Sequence, residues 1–285
     1  MNGVQIDIIL VAIITACAAA IPGIFLVLQG AALMSDAISH AILPGIVIMF
    51  FIVKTLQSPW LIVGAGFSGV ATVMCTQWII QTRRLKKDAA IGLIFPLFFS
   101  IGVILISLYA RDVHLDTDMV LLGELAFAPF NRMIVGLYDL GPYAAWQMGV
   151  IGIMNVLFVV LCYKELKVAS FDKQYAAISG CAPTALYYAL MMLTSITCVG
   201  AFDVMGTVVI VALMIVPAAT AFLYARSLLE MIIGSLAVAV AASVSGYTLA
   251  FCADVSIAGA IATLCGVFFV CGLAGTIYTR RARTL

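Results

Sequence analysis

Between Asp7 and Asp36 the chain carries no charged residue. A helix needs about 20 apolar residues to cross the hydrocarbon layer, so this gap is long enough to span. The pattern repeats down the chain. Apolar runs separated by short polar punctuation fall at 7–28, 32–53, 59–81, 89–109, 146–163, 183–201, 205–225, 229–252 and 256–278. The stretch 119–137 is apolar but interrupted, and fits a re-entrant or short helix. Inside lipid every backbone polar group needs an internal partner, which favours helices for runs of this kind. The expected fold is all-α, a polytopic transmembrane helical bundle of about eight or nine spans. Only 9% of residues are charged, where a soluble domain has about a quarter. Mean hydropathy is +1.22. The first run has no basic residue before it and is longer than a signal-peptide core, so it reads as an uncleaved span.

The basic residues orient the bundle. Arg83, Arg84, Lys86 and Lys87 form one cluster, Lys164, Lys167 and Lys173 a second, and Arg280, Arg281 and Arg283 a third. Cytoplasmic loops carry the excess of Lys and Arg. Placing all three clusters inside puts the N-terminus outside, the C-terminus in the cytoplasm and the net acidic segment 110–145 outside. Asp203 and Asp254 then lie at outer helix ends, as candidates to line a gate. The expected domain is one transmembrane unit over 1–285, with a cytoplasmic segment at 164–180. The eight cysteines are scattered through apolar runs with no CxxC, which fits small buried hydrophobes better than disulfides or a thiolate metal site. The net charge of +1 gives no argument for nucleic acid, and no such partner is expected.

One apolar run holds a carboxylate and an imidazole. Asp36 and His40 are four residues apart, so on a helix they share a face, with Ser39 beside them. Ionisable groups inside a span are costly and mark a partner, a cavity or a pathway. At 1.5 Å per residue His40 lies roughly 10–15 Å into the membrane, near the depth where transporters place substrate. Pro44 frees a backbone carbonyl near position 40 and can bend the helix there. Nitrogen and oxygen donors suit zinc, manganese or ferrous iron and argue against cuprous copper. One Asp and one His make half a site, and two subunits face to face would complete it. An intramembrane hydrogen bond between the two residues is the alternative reading.

Other residues are weaker candidates. His114, Asp116 and Asp118 are placed to relay metal at the outer face, or form an ordinary acidic loop. Pro217 breaks a helical hydrogen bond in the seventh run, as a hinge or a packing kink. Ser170 is a favoured residue for capping a short helix containing Asp172, Lys173 and Tyr175, and Phe171 is the kind of exposed aromatic an interface uses.

Met34-Ser35-Asp36-Ala37-Ile38-Ser39-His40-Ala41-Ile42-Leu43-Pro44-Gly45 resembles the D-x-x-x-H-x-x-x-P-G region of the permease subunits of zinc/manganese/iron ABC importers. Lys87-Asp88-Ala89-Ala90-Ile91-Gly92 fits the same family. So do Leu166-Lys167-Val168-Ala169-Ser170-Phe171-Asp172, with Ala176 and Gly180, and the helix from Val208 to Ala221. The resemblance implies that Asp36 and His40 line the metal site. It implies that Ser170, Phe171 and Asp172 dock on a separate ATP-binding subunit. It also implies a second permease, identical or a sister chain, two ATP-binding subunits, and an outer metal-binding protein that delivers the ion. Location would be the cytoplasmic (inner) membrane of a bacterium. The chain would hold no intrinsic cofactor; manganese, zinc or iron is cargo, and ATP is bound by the partner. Gln29 stands where most relatives are expected to have a basic residue. Phe202-Asp203 before Val204-Met205-Gly206 leans toward the manganese/iron branch. The sequence has no G-x-x-x-x-G-K-[ST] phosphate loop, so ATP hydrolysis is expected elsewhere. An ion-coupled secondary transporter is the competing reading. An intramembrane metalloenzyme lacks the H-E-x-x-H it would need.

Overall fold

The computed structural model describes residues 3–55, 60–109, 125–135 and 138–283. Helix α1 (Gly3–Leu28) is the axis. It packs against helices on several sides, and Val11, Ala12, Ala16, Ala19, Ala20, Ile24, Phe25 and Leu26 are all fully buried. A helix that is apolar all round belongs in the centre of a bundle. Its alanines let neighbours come close where lipid supplies no hydrophobic drive.

The second apolar run is two helices, α2 (Ala32–Ala41) and α3 (Leu43–Val53). Pro44 lies at the start of α3. It has no N–H to give and its ring crowds the carbonyl four residues back, which is that of His40. The break expected near residue 40 therefore falls at Ile42. Helix α4 (Trp60–Gln81) crosses α3 at a pair of glycines. A Cβ on Gly45 would overlap the Gly64 carbonyl, and one on Gly64 would overlap the Gly45 carbonyl. Helix α5 (Lys87–Tyr109) packs on α2 and α3.

Beyond α5 the described chain resumes as a 3-10 turn (Leu125–Phe130) and an antiparallel hairpin, β1 (Arg132–Val135) with β2 (Tyr138–Pro142). Over its described part, the interrupted run 119–137 is therefore this turn and a strand rather than a re-entrant α-helix. Leu125 and Pro129 are buried while Phe127 and Phe130 stay exposed. Arg132 Nη2 lies 3.4 Å from Asp7 Oδ2, tying the hairpin to the start of α1.

Helix α6 (Tyr143–Leu161) returns across the bundle to two short helices, α7 (Tyr163–Phe171) and α8 (Lys173–Ile178). Helix α9 (Pro183–Met205) packs on α1, α2, α4 and α6. At Gly206, φ is +77°, and the chain turns within one residue into α10 (Thr207–Phe222). Left-handed backbone of this kind favours glycine. Helix α11 (Leu228–Ala253) starts on a side-chain cap: Ser227 Oγ accepts the Glu230 N–H, and Glu230 Oε2 reaches back to accept the Arg226 N–H. Helix α12 (Ile257–Arg283) closes the bundle against α10 and α11.

Among the described residues, eight helical stretches are long and apolar enough to cross a membrane, and α10 is a shorter apolar helix. The seventh expected run, 205–225, is trimmed by the Gly206 turn at one end and by the turn after Phe222 at the other. The result is a nearly all-helical bundle with α1 at its centre, α2 to α5 on one flank and α10 to α12 on another.

Candidate functional site

Helix α2 carries the site. Asp36 and His40 lie one turn apart, with His40 Nε2 3.6 Å from Asp36 Oδ1. Their side chains are 48% and 35% exposed respectively, whereas Met34, Ser35, Ala37, Ile38 and Ser39 are buried. Buried and open residues therefore divide α2 into an inner face and an outer face, and the ionisable pair is on the outer one. Ser39 is turned inward rather than standing with the pair. Its Oγ donates to the Ser35 carbonyl at 2.9 Å, and Ser35 Oγ donates to the Ala32 carbonyl at 2.8 Å. Cys198 on α9 meets Ser39 from the interior.

Helix α5 supplies a wall that the sequence reading did not single out. The His40 ring lies 6.0 Å from Phe95 and 6.3 Å from Phe99, centroid to centroid, tilted against the first and edge-on to the second. The signal was present, since Phe95 and Phe99 are themselves one helical turn apart. At the break after α2, Ser68 Oγ on α4 donates to the Ala41 carbonyl at 2.6 Å. The pair thus has aromatic packing on one side, a tethered helix end, and an opening on the remaining side.

Among the described residues no group of three or more His, Cys, Asp or Glu side chains comes together. One chain therefore offers a nitrogen and an oxygen donor at one place. That is an incomplete first shell for a divalent transition metal, which takes four or more ligands. A groove of about 610 Å³ lies elsewhere, between α10, α11 and α12, with Tyr224, Glu230 and Phe268 in its lining.

The segment 164–180 forms α7 and α8. Leu166 and Ala169 are buried and seat it on the bundle. Phe171 is 66% exposed, and Tyr175 and Ile178 are also open. The cap of α8 is Asp172 rather than Ser170. The Asp172 carboxylate accepts the N–H groups of Gln174 and Tyr175 at 3.0 and 2.9 Å. Ser170 lies within α7, two residues too early to cap, and its Oγ is buried without a hydrogen-bond partner among the described residues.

Of the remaining candidates, Pro217 and Asp254 are described and belong to other helices. Asp254 is the C-cap of α11 with φ of +53°. Pro217 is buried within α10, and the helix continues through it. Asp203 lies in the last turn of α9, but its side chain is outside the described residues. His114, Asp116 and Asp118 are also outside them.

A bundle of spanning helices with a paired carboxylate and imidazole on an interrupted span, and a short exposed helix pair at one end, defines a multi-pass membrane transport protein. The chain belongs to the ABC 3 transport family, whose model matches residues 4–276. It is 46% identical over 263 residues to the zinc transport system membrane protein TroD of Treponema pallidum (strain Nichols), covering 92% of this chain and 71% of that protein. It is 40% identical over 267 residues to the manganese transport system membrane protein MntD of Bacillus subtilis (strain 168), covering 92% of this chain and 90% of that one. The solved structure of PsaBC from Streptococcus pneumoniae in complex with Fab aligns with a TM-score of 0.78 at 29% identity, over 95% of this chain and 91% of that one. The chain is thus a permease-type membrane subunit of an ABC transporter and not an enzyme.

Proposed function

We propose that this chain is the permease subunit of an ATP-driven importer for manganese, zinc or iron, and that Asp36 and His40 hold the ion in transit. The observation that carries the reading is the pair itself, 3.6 Å apart and open on one side of α2. A second permease, the same chain or a sister, would present its own donors across that opening. Two Asp and two His then fill a four-coordinate shell, and a carboxylate that binds through both oxygens extends it. Manganese and zinc both appear in the names of the relatives, and nitrogen and oxygen donors accept either.

An outer metal-binding protein would deliver the ion, with His114, Asp116 and Asp118 as relay candidates and Asp203 and Asp254 at the outer gate. Two ATP-binding subunits would bind ATP and dock at the exposed Phe171 and the capped start of α8, with Ser170 positioning the segment from within α7. Pro217 would hinge α10. Counting α10 as a crossing leaves the N-terminus outside and the C-terminus in the cytoplasm of a bacterial inner membrane. The chain acts as one transmembrane domain over 1–285, with its long outer loop at 110–145. ATP-driven movement must change the affinity of the Asp36/His40 site between outward and inward states, because equal affinity would release nothing. Family membership favours this reading over an ion-coupled carrier.

The test is metal uptake by the importer reconstituted in vesicles with its ATPase and binding protein. Asp36→Ala and His40→Ala are each expected to abolish uptake while inserting and assembling normally. Uptake at the wild-type rate in either variant overturns the ligand assignment.

A further inference from the structure

Helix α1 ends in a left-handed turn at Gly30, where φ is +58°. The Gly30 N–H bonds the Val27 carbonyl at 3.1 Å, and the Ala31 N–H bonds the Leu26 carbonyl at 2.7 Å. These two bonds form a Schellman closure. The closure uses the turn's N–H groups and leaves the carbonyls of Gln29 and Gly30 pointing out. Both accept from Lys87 Nζ, at 3.2 and 2.7 Å. Helix α2 begins immediately afterwards, at Ala32.

Lys87 is the first residue of α5. A cation there stands at the positive end of its own helix dipole, which is unfavourable. Across the gap it meets the negative end of α1, where a cation is stabilising. The side chain therefore bonds outward, to the turn that launches the site helix. The same α5 brings Phe95 and Phe99 against His40. At its other end α2 is held by Ser68 on α4. The ten-residue α2 is tied at its start to α5 and at its finish to α4.

We propose that Lys87 is a positioning residue for the metal site: its bridge to the Gln29 and Gly30 carbonyls fixes the depth and rotation of α2, and so the placing of Asp36 and His40. This rests on the reading of that pair as ligands. Lys87 touches no metal itself. It acts as an outer support does, by holding the ligands where a second set can meet them.

The test uses the assembled permease pair in lipid nanodiscs, titrated with Co2+ and followed by the metal's d–d absorption, with amide hydrogen exchange over residues 29–36 measured in parallel. Lys87→Met keeps the apolar stem and removes the donors. It is expected to weaken Co2+ binding about tenfold, the lower end of what loss of an outer-shell partner costs, and to speed exchange across the α1–α2 turn. Lys87→Arg retains a cation and donors and is expected to restore both. Wild-type Co2+ affinity in Lys87→Met overturns the positioning role. Failure of the wild-type protein to bind Co2+, or binding that survives Asp36→Ala unchanged, overturns the ligand reading and takes the positioning role with it.

Discussion

At the residue scale, function turns on which way a few side chains face. The four-residue spacing of Asp36 and His40 was readable in the chain, and the structure brings the two within 3.6 Å. The aromatic wall was harder to read, because Phe95 and Phe99 belong to a helix with apolar residues all round it, and only packing selects which ones meet His40. Ser39 and Ser170 were misplaced for a related reason. A serine inside a helix can bond its own turn, as Ser39 does with the Ser35 carbonyl, so its presence marks neither a cap nor a site. Asp254 has a backbone role as the left-handed C-cap of α11. Asp254→Gly separates that role from a gate. If capping is all it does, thermal stability is kept or raised and uptake is unchanged, since glycine adopts this conformation without penalty. Loss of uptake with stability intact marks Asp254 as part of the gate.

At the element scale, the spans were legible because hydrophobic length is a strong signal, while their internal breaks depended on single residues. Pro44 announced the α2–α3 break. Gly206 was less plain, because a lone glycine in an apolar run also serves as packing glue; only its φ of +77° shows that it is a turn. The 3-10 turn and hairpin after α5 were invisible to a reading based on helical length. Gly45→Ala puts a methyl group against the Gly64 carbonyl and is expected to destabilise the α3–α4 crossing by about 1–3 kcal/mol, read as a lower unfolding temperature in detergent. Asp172→Ala removes the side chain that accepts two backbone N–H groups and is expected to cost about 1 kcal/mol of local stability. Its clearer readout is co-purification of the ATPase, which both Asp172→Ala and Phe171→Ala should reduce. Full co-purification and ATP-driven uptake in both variants would show that the ATPase docks elsewhere.

At the scale of the whole molecule, the bundle is asymmetric. Helix α1 is enclosed by its neighbours, and α2 with α5 leaves the ionisable pair open on one flank. A carboxylate and an imidazole open toward lipid would be costly, and pairing with a second permease would remove that cost while completing the metal shell. Among the described residues, no third His, Cys, Asp or Glu joins the pair within one chain. Sequence motifs pointed to the family early, since their order along the chain survives whatever the packing. They did not show the geometry that ties α2 to α5 and α4, because those bonds join residues far apart in the chain. The central claim is that imidazole and carboxylate on α2 bind the ion being transported. X-ray absorption at the zinc edge of the permease pair in nanodiscs tests it most directly. The account predicts a nitrogen and oxygen first shell whose imidazole scattering disappears in His40→Ala; a sulfur shell, or a spectrum that His40→Ala leaves unchanged, would contradict it.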